Sequence, residues 1–214
     1  RHVLRPGPAA AARDARPMIV LGLTGSIGMG KSAVSAMFRR AGVPVFDADA
    51  AVHALQGPGG ALLPAIEARF PGTTGRQGVD RAKLGAAVFG KPVELKALER
   101  IVHPAVGRMR GRWLRRNRSR PIVVLDIPLL FETRGWRIVD SVVVVSAPAW
   151  VQRKRVLSRP GMRFGKFRRI LALQTPDAEK RRRADFVIAT GCLRHETEAQ
   201  VRRLVTCLRA KRGR

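Results

Sequence analysis

One segment, residues 18–42 (MIVLGLTGSIGMGKSAVSAMFRRAG), constrains this chain more than any other. A continuous apolar run over 18–23 passes into Gly25-Ser26-Ile27-Gly28-Met29-Gly30-Lys31-Ser32 and then into a helical pattern ended by Gly42. A strand that is apolar along its whole length is buried on both faces, as in a parallel sheet. The eight residues match G-x-x-x-x-G-K-[ST] in full, and a strand before and a helix after are the context in which that pattern cradles phosphate. Glycines let the backbone wrap closely around the anion, and the first N–H groups of the helix point at it. Lys31 then places a cation between β- and γ-phosphate, and Ser32 offers a hydroxyl to Mg²⁺. The chain is expected to bind a nucleoside triphosphate through Gly25, Ser26, Gly28, Met29, Gly30, Lys31, Ser32 and Ala33.

The residues beyond the loop set the fold class. A short strand over 43–46 stops at Asp47-Ala48-Asp49, and residues 57–120 then read as helical segments near 61–69, 81–88 and 92–116, with no good strand among them. Strands return at 121–125 and 141–145, helices at 148–158, 163–174 and 177–184, a last strand at 186–189 and a closing helix at 193–210. In that last helix Val201, Leu204, Val205 and Leu208 stand at i, i+3, i+4 and i+7, which is one packing face. Five strands alternating with helices imply an α/β, doubly wound parallel sheet of the P-loop, nucleoside-monophosphate-kinase-like kind. The expected division is a core of 18–56, 117–149 and 181–214, a helical insertion over 57–116 and a lid over 150–180. Residues 1–17, rich in Ala, Arg and Pro, are expected to be a disordered leader.

Composition excludes some partners and leaves others open. With 45% hydrophobic residues the chain of 214 residues can bury a sizeable core. No apolar run approaches the roughly 18–20 residues that span a bilayer, so no membrane partner is expected. The 42 Lys and Arg against 15 Asp and Glu give a formal charge of +27, and most of the bases are Arg, which binds phosphate through planar paired contacts. Aromatics are thinly scattered between the basic runs, so nucleic acid is expected to bind non-specifically if at all. Cys192 and Cys207 stand too far apart for a redox pair, and the four His are dispersed, which fits reduced thiols in a cytoplasmic protein with no metal cluster.

Further chemistry lies at strand ends. Asp47 and Asp49 follow the second strand, at the edge where open α/β sheets bind ligands. One of them is expected to accept the acceptor proton or orient Mg²⁺, and the other to cap the following helix. Asp126 closes the run IVVLD in the position of an acid that holds Mg²⁺, with capping of the turn into Pro128 as the alternative. Small-molecule kinases fit this size, and they work by positioning and charge neutralisation, with a carboxylate near the acceptor hydroxyl and arginines over the transferred group.

Taken together the residues resemble the dephospho-CoA kinase family. The resemblance runs from residue 18 to about 205 and includes GLTGSIGMGKS, VFDAD (45–49), LERIVHP (98–104) and DIPLLFE (126–132). It extends to Q-x-x-R at Gln152 to Arg155, with Arg159 four further on, and to Q-x-P-x-x-x-K-R leading into RADFVI (174–188). It implies ATP-dependent phosphorylation of the ribose 3′-hydroxyl of dephospho-CoA, with ATP and Mg²⁺ as cofactors and a monomer or weak homo-oligomer as the working form. By the same resemblance Asp49 is the general base with Asp47 alongside. His103 and Arg159 bind substrate, Arg155 neutralises the transferred phosphoryl group, and Ser32 and Asp126 serve the metal. Three positions depart from the family pattern: Ala33 replaces a Thr, Ala189-Thr190-Gly191 replaces Asp-Asn before Ser-Gly, and RPGMRFGKFRRI in the lid is more basic than usual. The competing readings are another P-loop kinase acting on a nucleotide or sugar acid, and a basic RNA-binding protein using the seven Arg of residues 108–120.

Overall fold

The computed structural model describes residues 18–210, so the expected leader 1–17 lies outside the described residues. Along the chain run β1 (Ile19–Thr24), α1 (Lys31–Arg40), β2 (Val45–Asp47), α2 (Ala48–Gln56) and α3 (Leu63–Arg69). Two short strands come next, β3 (Thr74–Gly75) and β4 (Gly78–Val79), then α4 (Arg81–Val88), α5 (Pro92–Arg116), β5 (Ile122–Asp126) and β6 (Ser141–Ser146). The remainder is α6 (Ala149–Leu157), α7 (Phe164–Ala172), α8 (Asp177–Arg182), β7 (Phe186–Ala189) and α9 (Arg194–Ala210).

Five strands form a parallel sheet in the order β2-β5-β1-β6-β7. The central strand, β1, pairs with β5 on one side and β6 on the other, which is why its sequence is apolar at nearly every position. Leu21, Leu23, Val124, Val143 and Val145 bury one face of the sheet against Val34 and Phe38 of α1 and Val201, Leu204, Val205 and Leu208 of α9. Each such side chain contributes about 1.5–3 kcal/mol when fully removed from water. The register sets Leu23 beside Asp126, so β1 and β5 end together and their following loops start at the same edge. Two bonds lock that edge: Ile127 N–H donates to Leu23 O at 3.0 Å, and the Thr24 hydroxyl donates to Pro128 O at 2.9 Å.

The described residues divide into two compact units, Asp47–Arg116 and the remainder of them. In the smaller one Leu62, Ile66, Phe70, Leu84 and Ala105 form a separate core, with α5 as the common partner of α2, α3 and α4. The expected insertion starts at residue 57; α2, which precedes it, packs on α5 within this unit. The sequence shows no strand there, whereas β3 and β4 pair antiparallel. Two residues per strand are too few to leave a period-2 signature. Pro104 lies inside α5. Among the described residues no helix is long and apolar enough to cross a membrane.

Candidate active site

The loop between β1 and α1 folds as its glycines require. Gly28 and Gly30 have φ of 78° and 88°, in the left-handed region that costs other L-residues strain. Gly30 is the N-cap of α1, and its carbonyl accepts from Ala33 and Val34 N–H at 3.1 and 3.2 Å. No side chain caps this helix, which leaves its first N–H groups for an anion. Close approach matters as well as φ: a Cβ on Gly25 would lie 2.8 Å from Val145 O, and one on Gly30 would lie 3.1 Å from the Thr190 hydroxyl.

Lys31 and Asp126 are brought together by the sheet register. The Lys31 ammonium lies 2.5 Å from Asp126 Oδ1, and the carboxylate side chain is only 4% exposed. Removing a carboxylate from water is costly without a partner, and Lys31 supplies one. Ser32 follows in the first turn of α1 with its side chain exposed.

Arg155 reaches the loop from α6, and Thr190 holds it there. Its Nη2 donates to Thr190 O at 2.6 Å and its Nη1 to the Thr190 hydroxyl at 3.1 Å; that hydroxyl in turn donates to Met29 O at 2.6 Å. The guanidinium is thereby fixed beside Gly30, since a Cβ on that glycine would stand 3.4 Å from Nη1. In the sequence Thr190 stands out only as a departure from the family pattern, and the structure makes it a junction between Arg155 and the loop. Arg159 is exposed beyond the end of α6, where its N–H closes the helix on Val156 O at 3.1 Å.

The acceptor candidates belong to the Asp47–Arg116 unit. Asp47 is the N-cap of α2, its carboxylate accepting from Ala50 N–H at 3.0 Å. Asp49 lies exposed in the first turn, where the helix dipole favours negative charge. His103 is exposed on α5, directly before Pro104. A neighbouring histidine in the same unit, His53, is hydrogen-bonded to Arg81.

A buried pair escaped the sequence. Lys180, fully buried, places its ammonium 3.0 Å from Glu132 Oε1, which also accepts from Thr175 N–H at 2.7 Å. Burial alone would push the Glu132 carboxyl up, but the hydrogen bonds from its own backbone and Thr175, with the Lys180 ammonium, hold it below the ordinary carboxylate value. The one signal was that both residues sit inside family motifs, DIPLLFE and Q-x-P-x-x-x-K-R.

Comparison with known proteins adds the family. The model described as dephospho-CoA kinase matches residues 19–194. The dephospho-CoA kinase of Novosphingobium aromaticivorans is 64% identical over 195 residues, spanning 91% of this chain and 97% of the relative. A crystal structure of a Thermus thermophilus protein has a TM-score of 0.80 at 34% identity, covering 90% of this chain and 97% of that one. The dephospho-CoA kinase from Campylobacter jejuni, at 21% identity, shares the fold with a TM-score of 0.60, covering 89% and 97%.

Proposed function

The chain belongs to the dephospho-CoA kinase family, and we infer that it transfers the γ-phosphoryl group of ATP to the ribose 3′-hydroxyl of dephospho-CoA. The products are CoA and ADP. The observation that carries this is a complete phosphate loop, with Lys31 and Arg155 both held at it, in a chain whose family match spans residues 19–194. Fold alone would leave the acceptor open.

In the reaction the 3′-oxygen attacks the γ-phosphorus as the bond to the β-phosphate oxygen breaks, and the hydroxyl proton leaves to a carboxylate. Asp49 is that base, because Asp47 already accepts the α2 N–H. Loop N–H groups and Lys31 bind the β- and γ-phosphates, and Arg155 neutralises charge on the group in transit. For Lys31 this means exchanging a carboxylate partner for a phosphate one. His103 and Arg159 contribute to binding dephospho-CoA. The Ser32 hydroxyl and the Asp126 carboxylate are hard oxygen donors of the kind Mg²⁺ takes one or two of, alongside phosphates and water. Bound there, Mg²⁺ would supply further neutralisation of the phosphates. The free cysteines Cys192 and Cys207 suit a reducing, cytoplasmic setting.

The test is turnover. Purified protein with ATP and Mg²⁺ should convert dephospho-CoA to CoA, followed by mass spectrometry, and should leave nucleoside monophosphates and gluconate unchanged. Folded protein that yields no CoA overturns the assignment.

A further inference from the structure

The tip of the phosphate loop is held from both sides by two glutamines. Gln152 of α6 is 6% exposed and donates its Nε2 to Ile27 O at 2.8 Å. Gln174, just past α7, accepts the Ile27 N–H on its Oε1 at 3.1 Å. The chemistry fixes which end of each amide faces the loop, since a peptide N–H only donates and a peptide carbonyl only accepts. Neither glutamine is at a place where a side chain is merely filling space. Gln152 also presents its backbone carbonyl to Gly28, where a Cβ would stand 3.1 Å away. Gln174 is followed by Thr175, whose N–H is anchored on Glu132, and Glu132 is anchored on the buried Lys180.

We propose that Gln152 and Gln174 are positioning residues for the triphosphate: together they fix both hydrogen-bonding groups of Ile27, and so set the curvature with which the adjoining loop N–H groups meet phosphate. Ile27 is thereby withdrawn from ligand binding and used as the loop's attachment point. The two glutamines lie on either side of the basic segment 153–173, so both flanks of that segment are tied to one residue of the phosphate loop. The inference rests on the reading of residues 25–33 as the ATP site.

The glutamine-to-glutamate change separates this role from a general packing one. A carboxylate still accepts, so Gln174→Glu keeps its bond to Ile27 N–H. It no longer donates, so Gln152→Glu sets two oxygens against each other at Ile27 O. Both variants place the same charge beside the same residue, and the difference between them reports the hydrogen bonds. Expected are a rise of about tenfold in KM for ATP and in the dissociation constant for ADP with Gln152→Glu and with Gln174→Ala. Gln174→Glu should stay within about threefold of wild type, and KM for dephospho-CoA should hold in all three. Should Gln152→Glu not fold, Gln152→Met keeps the shape, lacks the donor and carries the same expectation. Equal effects of the two glutamate variants, or unchanged ATP and ADP affinity in the Met and Ala variants, overturns the proposal. Lys31→Ala run alongside isolates the underlying reading: if ADP affinity does not depend on Lys31, the ATP site itself is misplaced. If it does and the glutamine variants are silent, only the positioning role fails.

Discussion

The groups proposed to handle ATP and those proposed to handle the acceptor are held in different ways. At the phosphate loop three groups are each held by a side chain or backbone partner: Lys31 by Asp126, Arg155 by Thr190, Ile27 by two glutamines. In the Asp47–Arg116 unit, Asp49 and His103 project from helix surfaces into solvent, above a smaller core centred on Ile66 and Phe70. Preorganised charges cost no rearrangement at the moment of reaction, which is where electrostatic catalysis gains most. An exposed carboxylate instead acquires its environment from the substrate. Loss of Lys31 should therefore act on nucleotide affinity as well as turnover, and loss of Asp49 on turnover with the fold and nucleotide affinity intact.

The largest effects should come from the reacting groups. Lys31→Ala and Asp49→Ala should each lower kcat/KM by about 10²–10⁴-fold. Only the Lys31 variant should also weaken ADP binding by calorimetry. If Asp49→Ala weakened ADP as much, the contrast between the two regions would collapse. Next comes the buried pair. Lys180→Met leaves the Glu132 carboxylate without its cation and should lower unfolding free energy by about 3 kcal/mol in urea titration.

The same pair gives a pH signature. Glu132 is held below its ordinary value in the fold, so its contribution is full above its unfolded pKa of about 4.3 and is lost as pH falls through the lower folded value. The stability gap between wild type and Glu132→Gln should accordingly narrow below about pH 4.3. A gap independent of pH would mean that the carboxylate contributes by shape alone. Thr190→Val removes the hydroxyl between Arg155 and Met29 O but keeps the backbone carbonyl, and a loss of about tenfold in kcat is expected, by steady-state assay. Smallest is Asp47→Ala, which removes the α2 cap at a cost of about 1 kcal/mol. It should leave kcat within about threefold, since Asp49 is the base.

The sequence made the ATP side legible as a set of residues and not as an arrangement. Residues 25–32 carry their own local geometry, because φ at Gly28 and Gly30 and the helix start are properties of adjacent residues. The central strands β1, β5 and β6 could be inferred from apolar runs that had to be buried on both faces. Helices α4 and α5 coincide with the helical segments 81–88 and 92–116 expected from the sequence, and Asp80 is the N-cap of α4. The features that escaped depend on partners far along the chain. Gln174 meets Ile27 across 147 positions, and Thr190 meets Met29 across 161. Nothing local distinguishes a glutamine that grips a loop from one that faces solvent. The Asp47 limit of the smaller unit likewise depends on a distant partner, since α2 is assigned by its packing on α5.

The pairing of Leu23 with Asp126 has a bearing on how the protein is made. The loop is complete once residue 32 has left the ribosome, but its lysine has no carboxylate to meet until β5 has been synthesised, 95 positions beyond Lys31. In between, the chain produces Asp47–Arg116, a unit with its own core. A nascent chain stopped before β5 would carry the full phosphate-binding sequence beside an unpaired central strand. Contacts of such long separation close slowly. The nucleotide site is therefore a late product of folding, although its signature is made well before β5.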